Sequence, residues 1–209
     1  MAINTFATLK TAVANWLNRD DLTDRIPEFI SLAESRLSRE LETRGQEKRA
    51  TLTTSASDQY ISLPTDLREI RHVQLNTSPR TVLRYVTPDQ IEREFSGSTT
   101  GKPRVYTVVG QEMKIAPTPD STEYTVEMTY MDGVEALSDS NTNNWVLTRY
   151  PDAYLYASLS AASIYLVDDQ RAVGFEQLAQ RAIDEINLDE QNARFGAAPM
   201  MRSSYGELT

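Results

Sequence analysis

The chain has no cysteine among its 209 residues. That absence excludes disulfides, thiolate nucleophiles and every zinc site built on thiolates. Histidine occurs once, at His72. Zinc sites draw most of their ligands from His and Cys, so a zinc enzyme is not expected, and a Ser-His-Asp arrangement would depend on His72 alone. With 8 Gly and 9 Pro the chain is too poor in both to be low-complexity. Its apolar stretches are broken every few residues, so no membrane span is expected. The opening Met1-Ala2-Ile3-Asn4-Thr5 lacks a basic stretch followed by an apolar run, and no secretory signal is expected. Positive charge is also scarce. Lys and Arg total 21 against 30 Asp and Glu, a net charge of −9. High-affinity nucleic-acid binding needs concentrated positive charge and is disfavoured.

The length suits one generous domain, or one domain carrying a second small one. An apolar fraction of 40% allows a packed core without making it lavish. Phe6, Leu9, Val13, Trp16 and Leu17 follow helical spacing, with Thr5 as N-cap. Asn18 to Asp21 breaks the pattern. Pro27 sits where a first helical turn accepts it, and Ile26, Phe29, Ile30, Ala33, Leu37 and Leu41 form a second stripe that Gly45 can close. Both stripes read as core packing.

From Arg49 the period shortens. Thr51 to Thr53 and then Tyr60, Ile61 and Leu63 read as a strand and a returning strand about a turn at Ser55 to Asp58. Ile70, Val73 and Leu75 predict another strand, and Val82, Leu83, Tyr85 and Val86 a further one. Thr87-Pro88-Asp89-Gln90 is a capping-box start for a short helix ending near Phe95. Val105 to Val109 and Met113 to Ala116 flank Gly110-Gln111, a two-residue loop of type II′ chemistry. Tyr124, Val126, Met128 and Tyr130 alternate with polar residues as a half-buried strand. The block from residue 50 to 135 is thus expected to be a small antiparallel sheet.

Helices then resume. One begins at Pro151 and runs to about Val167, carrying Tyr154, Leu155, Leu159 and Ile164. Its small residues Ala157, Ser158, Ser160, Ala161, Ala162 and Ser163 would let another helix approach closely, which places it centrally. The last helix shows Phe175, Leu178, Ala179, Ala182, Ile183 and Ile186 and ends near Phe195-Gly196. The predicted fold class is α+β. Residues 1–49 and 136–195 form a helical bundle, residues 50–135 an inserted antiparallel β domain, and residues 196–209 an extended C-terminal tail. Fully stretched, that tail reaches roughly 46 to 50 Å, at about 3.3 to 3.6 Å per residue. Met200, Met201 and Tyr205 on it can dock on a neighbour or partner.

Catalytic candidates do not accumulate. His72 reads as a polar position on a strand face. Glu112 with Glu127, or Asp168 with Asp169, would matter as carboxylate pairs only if buried at a defined separation, and they read as solvated faces. Gly97-Ser98-Thr99-Thr100-Gly101-Lys102-Pro103 has the wrong spacing for a phosphate cradle, and its proline prevents the helix start such a cradle requires. No catalytic, cofactor-binding or metal-ligating residue is assigned. Tyrosine supplies ten of the seventeen aromatics, with Tyr150, Tyr154, Tyr156 and Tyr165 close in sequence. Tyrosine is favoured where one protein buries another, a weak sign of subunit contact.

The run from Leu9 to Glu47 resembles the N-terminal helices of adaptor proteins of the kind found in short-tailed phages. The segment Leu137 to Arg171 matches better. Its Leu137-Ser138, Asn144-Trp145, Tyr150-Pro151-Asp152 and Leu155-Tyr156 look like that family's returning helix. Leu63-Pro64-Thr65-Asp66, and Tyr106 through Ile115-Ala116-Pro117, sit where its β insertion has similar words. The likeness covers about residues 5 to 195, carried by order and spacing rather than by one motif.

The resemblance implies a virion protein, made in the host cytoplasm, that closes into a ring, typically a dodecamer, beneath the portal at the head vertex. The ring would continue the DNA channel and present a platform for the tail nozzle or tail-tube protein. Family members grip the portal with an extended C-terminal segment, which points to Met200, Met201, Arg202 and Tyr205 as portal-binding residues. The family implies no catalytic residue, cofactor or membrane contact. Twelve copies at −9 would total about −108, and carboxylates lining the channel would pass DNA without specific binding. Alternatives are another virion connector, such as a stopper or tail-tube subunit, a cell-wall hydrolase, and a helical nucleic-acid-binding regulator.

Overall fold

The computed structural model describes residues 2–95, 100–120 and 124–195. The chain divides into two compact units. The first joins the residues up to Gly45 with those from Val134 onward; the second is Gln46–Gly133. The α+β class expected from the sequence is what the chain adopts.

The first unit is helical. Helix α1 (Phe6–Leu17) starts at Thr5, whose side chain accepts from the Thr8 amide at 3.2 Å while Thr8 Oγ1 accepts from the Thr5 amide at 2.9 Å. It stops at Asn18, which takes the left-handed conformation that Asn tolerates. Helix α2 (Ile26–Glu40) begins with Pro27 in its first turn. It ends earlier than the expected Gly45. Leu41 turns extended with its side chain wholly buried, and the helix α6 (Asp169–Phe195) supplies the cap. Asn187 accepts from the Glu42 amide at 3.0 Å and donates to the Glu40 carbonyl at 2.9 Å.

A short helix that the periodicity does not reveal, α4 (Trp145–Arg149), precedes α5 (Pro151–Tyr165). Helix α5 packs against α1, α2, α4 and α6, the central place its small residues predict. Ala33, Ala157 and Ala179 meet where α2, α5 and α6 approach. The main core is drawn from all of these helices and from Leu22, Val134 and Leu137 between them, with Leu9, Val13, Ile30, Leu37, Leu147, Tyr154 and Leu159 among its fully buried members. Trp16, Ile164 and Leu178, predicted as stripe residues, are instead exposed. Each stripe is narrower than its apolar residues suggest, and the surplus faces outward.

The second unit differs from the single antiparallel sheet expected. It holds two four-stranded sheets. In the first, β1 (Glu47–Thr53) pairs with β8 (Thr125–Asp132), then come β3 (Leu67–Leu75) and β4 (Thr81–Val82). In the second, β2 (Tyr60–Ser62) pairs with β7 (Glu112–Ala116), then β6 (Val105–Val109) and β5 (Arg84–Tyr85). The expected pairing of the Thr51 and Ile61 strands is therefore wrong, since they lie in different sheets. The strand expected across Val82 to Val86 is split by Leu83, which is buried and carries the chain from one sheet to the other. The β5–β6 pair is parallel. One core joins both sheets, with Val73, Leu75, Val126 and Met128 from the first and Met113 and Ile115 from the second. Helix α3 (Pro88–Glu94) covers Val105 and Ala116 with Ile91, and Gln90 accepts from the Thr87 amide at 3.2 Å as the capping box requires. Gly110 has φ +63° in the two-residue turn and Gln111 does not share the positive φ, the type II′ pattern.

Candidate functional site

The positions that could have carried chemistry are structural ones. His72 is exposed on β3 with Nε2 3.4 Å from Gln74 Oε1. Glu112 and Glu127 lie in different sheets, and Glu127 faces Arg49 at 3.5 Å. Asp168 accepts from the Arg171 amide at 3.1 Å and so caps the start of α6. In the Gly97 to Pro103 segment, residues 97–99 lie outside the described residues, and Gly101 donates to the Thr118 carbonyl at 2.8 Å. Among the described residues no three His, Asp or Glu side chains converge as a metal site. Among them, too, no helix is long and apolar enough to cross a membrane.

The buried polar chemistry is concentrated at one point of the helical unit. Glu34 occupies the inward face of α2, between Ile30, Ala33 and Leu37. Its Oε1 accepts from the Leu137 amide at 2.7 Å and from the Tyr154 hydroxyl at 3.4 Å. Asn144 donates through Nδ2 to that hydroxyl at 2.6 Å and to the Glu135 carbonyl at 2.7 Å, and its Oδ1 caps α4 through the Leu147 amide at 2.9 Å. Burial pushes the Glu34 carboxyl above its usual range, against the two hydrogen bonds that favour its charged form. Burial likewise raises the Tyr154 hydroxyl. The carboxylate's hydrogen-bond partners, the Leu137 amide and the Tyr154 hydroxyl, both belong to the helical core. These bonds tie the segment from Val134 to Asn144 onto α2 and α5.

Sequence reading missed Glu34, although a signal existed. Spacing i, i+3, i+4 and i+7 from Ile30 puts positions 30, 33, 34 and 37 on one face, so a carboxylate there must be buried and bonded. Leu137, which donates to it, and Asn144, which reaches it through the Tyr154 hydroxyl, are among the words that carry the family resemblance.

A second polar cluster also holds helices together. Arg36 reaches Glu40 at 3.1 Å, Glu176 at 2.6 Å and Gln180 at 2.9 Å, and Ser160 donates to Glu176 at 2.8 Å. These residues cross a surface groove of about 340 Å³ whose rim carries the exposed Leu32 and Ile164. Met200, Met201, Arg202 and Tyr205 lie outside the described residues.

The buried polar groups hold elements in place, and several large apolar side chains turn outward. Residues 4–203 match the family described as SU10 adaptor protein. The chain belongs to that family, which is one of phage head-to-tail adaptors. No curated protein matches it. Membership implies a structural, non-enzymatic role and a place in the virion.

Proposed function

We propose that the chain closes into a ring, a dodecamer, that joins the portal vertex of the capsid to the tail and continues the DNA channel. The single observation that carries this is the family match over residues 4–203, nearly the whole chain. Two features support it. Ring closure needs two unlike complementary surfaces on each copy, and exposed large apolar side chains occur in both units, at Trp16, Ile164 and Val167 in one and at Val82 and Tyr85 in the other. The net charge of −9 gives the ring a potential that repels phosphate, so DNA would slide through rather than adhere.

In this reading residues 196–209 are the arm that grips the portal, with Met200, Met201, Arg202 and Tyr205 as its contacts, and the opposite rim receives the tail nozzle or tail tube. The test is co-sedimentation with the cognate portal. The full chain should travel with it, and a chain ending at Phe195 should not. Equal binding by both would contradict the assignment of the arm.

A further inference from the structure

Each unit carries an exposed apolar face, and the two faces are opposite in charge. The first is the continuous edge segment Arg80 to Tyr85. It supplies β4 to one sheet and β5 to the other, so it forms the edge of both. Val82 is 61% exposed and Tyr85 is 56% exposed. Arg80, Arg84 and Arg104 are exposed beside them, and the Arg84 amide donates to the Arg104 carbonyl at 3.0 Å. Among the described residues none of these three arginines has a carboxylate at ion-pair distance. Edge protection against strand pairing explains the short strands and the charges. It does not explain an outward Val and Tyr.

The second face is the turn between α5 and α6. Ile164 is 67% exposed, Tyr165 is 53% exposed and Val167 is 81% exposed. The Tyr165 ring lies 5.4 Å from that of Phe29, which fixes the turn against the start of α2. Asp168 and Asp169 follow the turn directly, Glu28 precedes Phe29 on α2, and Arg25 lies within electrostatic reach of both Tyr165 and Asp24. Arg25 pairs with Glu28 and Arg171 with Asp168, so two arginines stand against the four carboxylates Asp24, Glu28, Asp168 and Asp169 and the cluster is net negative. Both units are net negative, the helical one more strongly. Residues 1–45 and 134–209 hold 11 Lys and Arg against 18 Asp and Glu, and residues 46–133 hold 10 against 12.

We infer that these faces are the two halves of the contact between neighbouring copies in the ring: the basic Arg80–Tyr85 edge of one copy seats on the acidic Ile164–Asp169 turn of the next. This rests on the ring proposed above. A cyclic assembly requires unlike faces. Apolar centres with charged rims, rich in Tyr and Arg, are the anatomy of such contacts. Either face meeting its own kind would set like charges together, so electrostatics selects the unlike pairing.

The test uses the full chain and its cognate portal, scoring by electron microscopy the fraction of portals that carry a ring. R84E/R104E and D24K/D169K should each lower that fraction tenfold or more, and the four changes combined should restore it. Val82→Ser, which alters no charge, should lower it as well. All five sites are exposed, so thermal unfolding of each variant should match the parent and serves as the control for folding. Rings from either charge-reversed chain at the parental level, or no rescue by the combination, would overturn the inference. Rings that close but no longer attach to the portal would assign the edge to the portal instead and overturn it too. A parent chain that forms no ring would remove the ring reading along with this one, whereas parental rings indifferent to the reversals would sink this one alone.

Discussion

The Tyr154 hydroxyl donates to Glu34 Oε1 at 3.4 Å, joining α5 to α2 across 120 residues of sequence. The same hydroxyl accepts from Asn144 at 2.6 Å, so a single oxygen ties both helices to the segment that returns from the β unit. Tyr154→Phe keeps the ring and its packing but leaves Asn144 Nδ2 short of an acceptor in a buried place. An unmet buried donor costs about 1 to 3 kcal/mol. Urea unfolding should show a loss of that size, with the slope unchanged.

Glu34 gives a pH signature. Burial holds its folded carboxyl above the value it takes in the unfolded chain. As pH rises between those two values, the unfolded chain has released the proton while the folded chain still keeps it. Stability therefore falls across that window and is level below it. Glu34→Gln retains an acceptor for Leu137 and Tyr154 and removes the buried charge. The difference between parent and variant, from unfolding curves taken from acid to neutral pH, should grow in favour of the variant as pH rises. A parent that gains on the variant over that range would contradict the placement of Glu34.

Val167 stands where a left-handed cap is made. The Asp168 amide donates to the Ser163 carbonyl at 3.0 Å and the Val167 amide to that of Ile164 at 3.1 Å, closing α5 with φ +56° at a β-branched residue. Glycine is the residue that geometry favours. Val167→Gly should raise the unfolding free energy of the isolated chain by about 1 kcal/mol. If the turn meets a neighbouring copy, the same variant should assemble less well. Opposite signs in the two measurements would separate the needs of folding from those of contact.

Gly45 lies against the Trp145 ring so closely that an added Cβ would stand 3.1 Å from it. Gly45→Ala should cost about 1 to 3 kcal/mol through displacement of the indole, read as a lower melting temperature with the tryptophan emission shifted to longer wavelength. Gly174, which has open space at the same test, should accept alanine and gain from it.

Much of the architecture was legible because local chemistry fixes it. Thr5, Pro27, Thr87 and the Gly110-Gln111 turn announce where elements begin or reverse, and the small side chains of α5 announce a close helix approach. Strand partners were not legible. Glu47–Thr53 pairs with Thr125–Asp132, on the far side of the insertion, and no local signal favours that partner over the nearer Tyr60–Ser62. Leu83 is one buried residue in an apolar run, and period alone does not mark it as a crossing between sheets. Trp16, Ile164 and Leu178 fit their helical stripes by spacing, yet face outward. A sequence does not distinguish an apolar residue meant for the core from one meant for a neighbouring molecule, and that distinction is where the adaptor's candidate contacts lie.

The most direct measurement is an electron micrograph of this chain mixed with its cognate portal and viewed down the portal axis. The account predicts a closed ring of twelve copies seated on one face of the portal, with an open central channel. Single copies scattered without symmetry, or no density added to the portal at all, would contradict it.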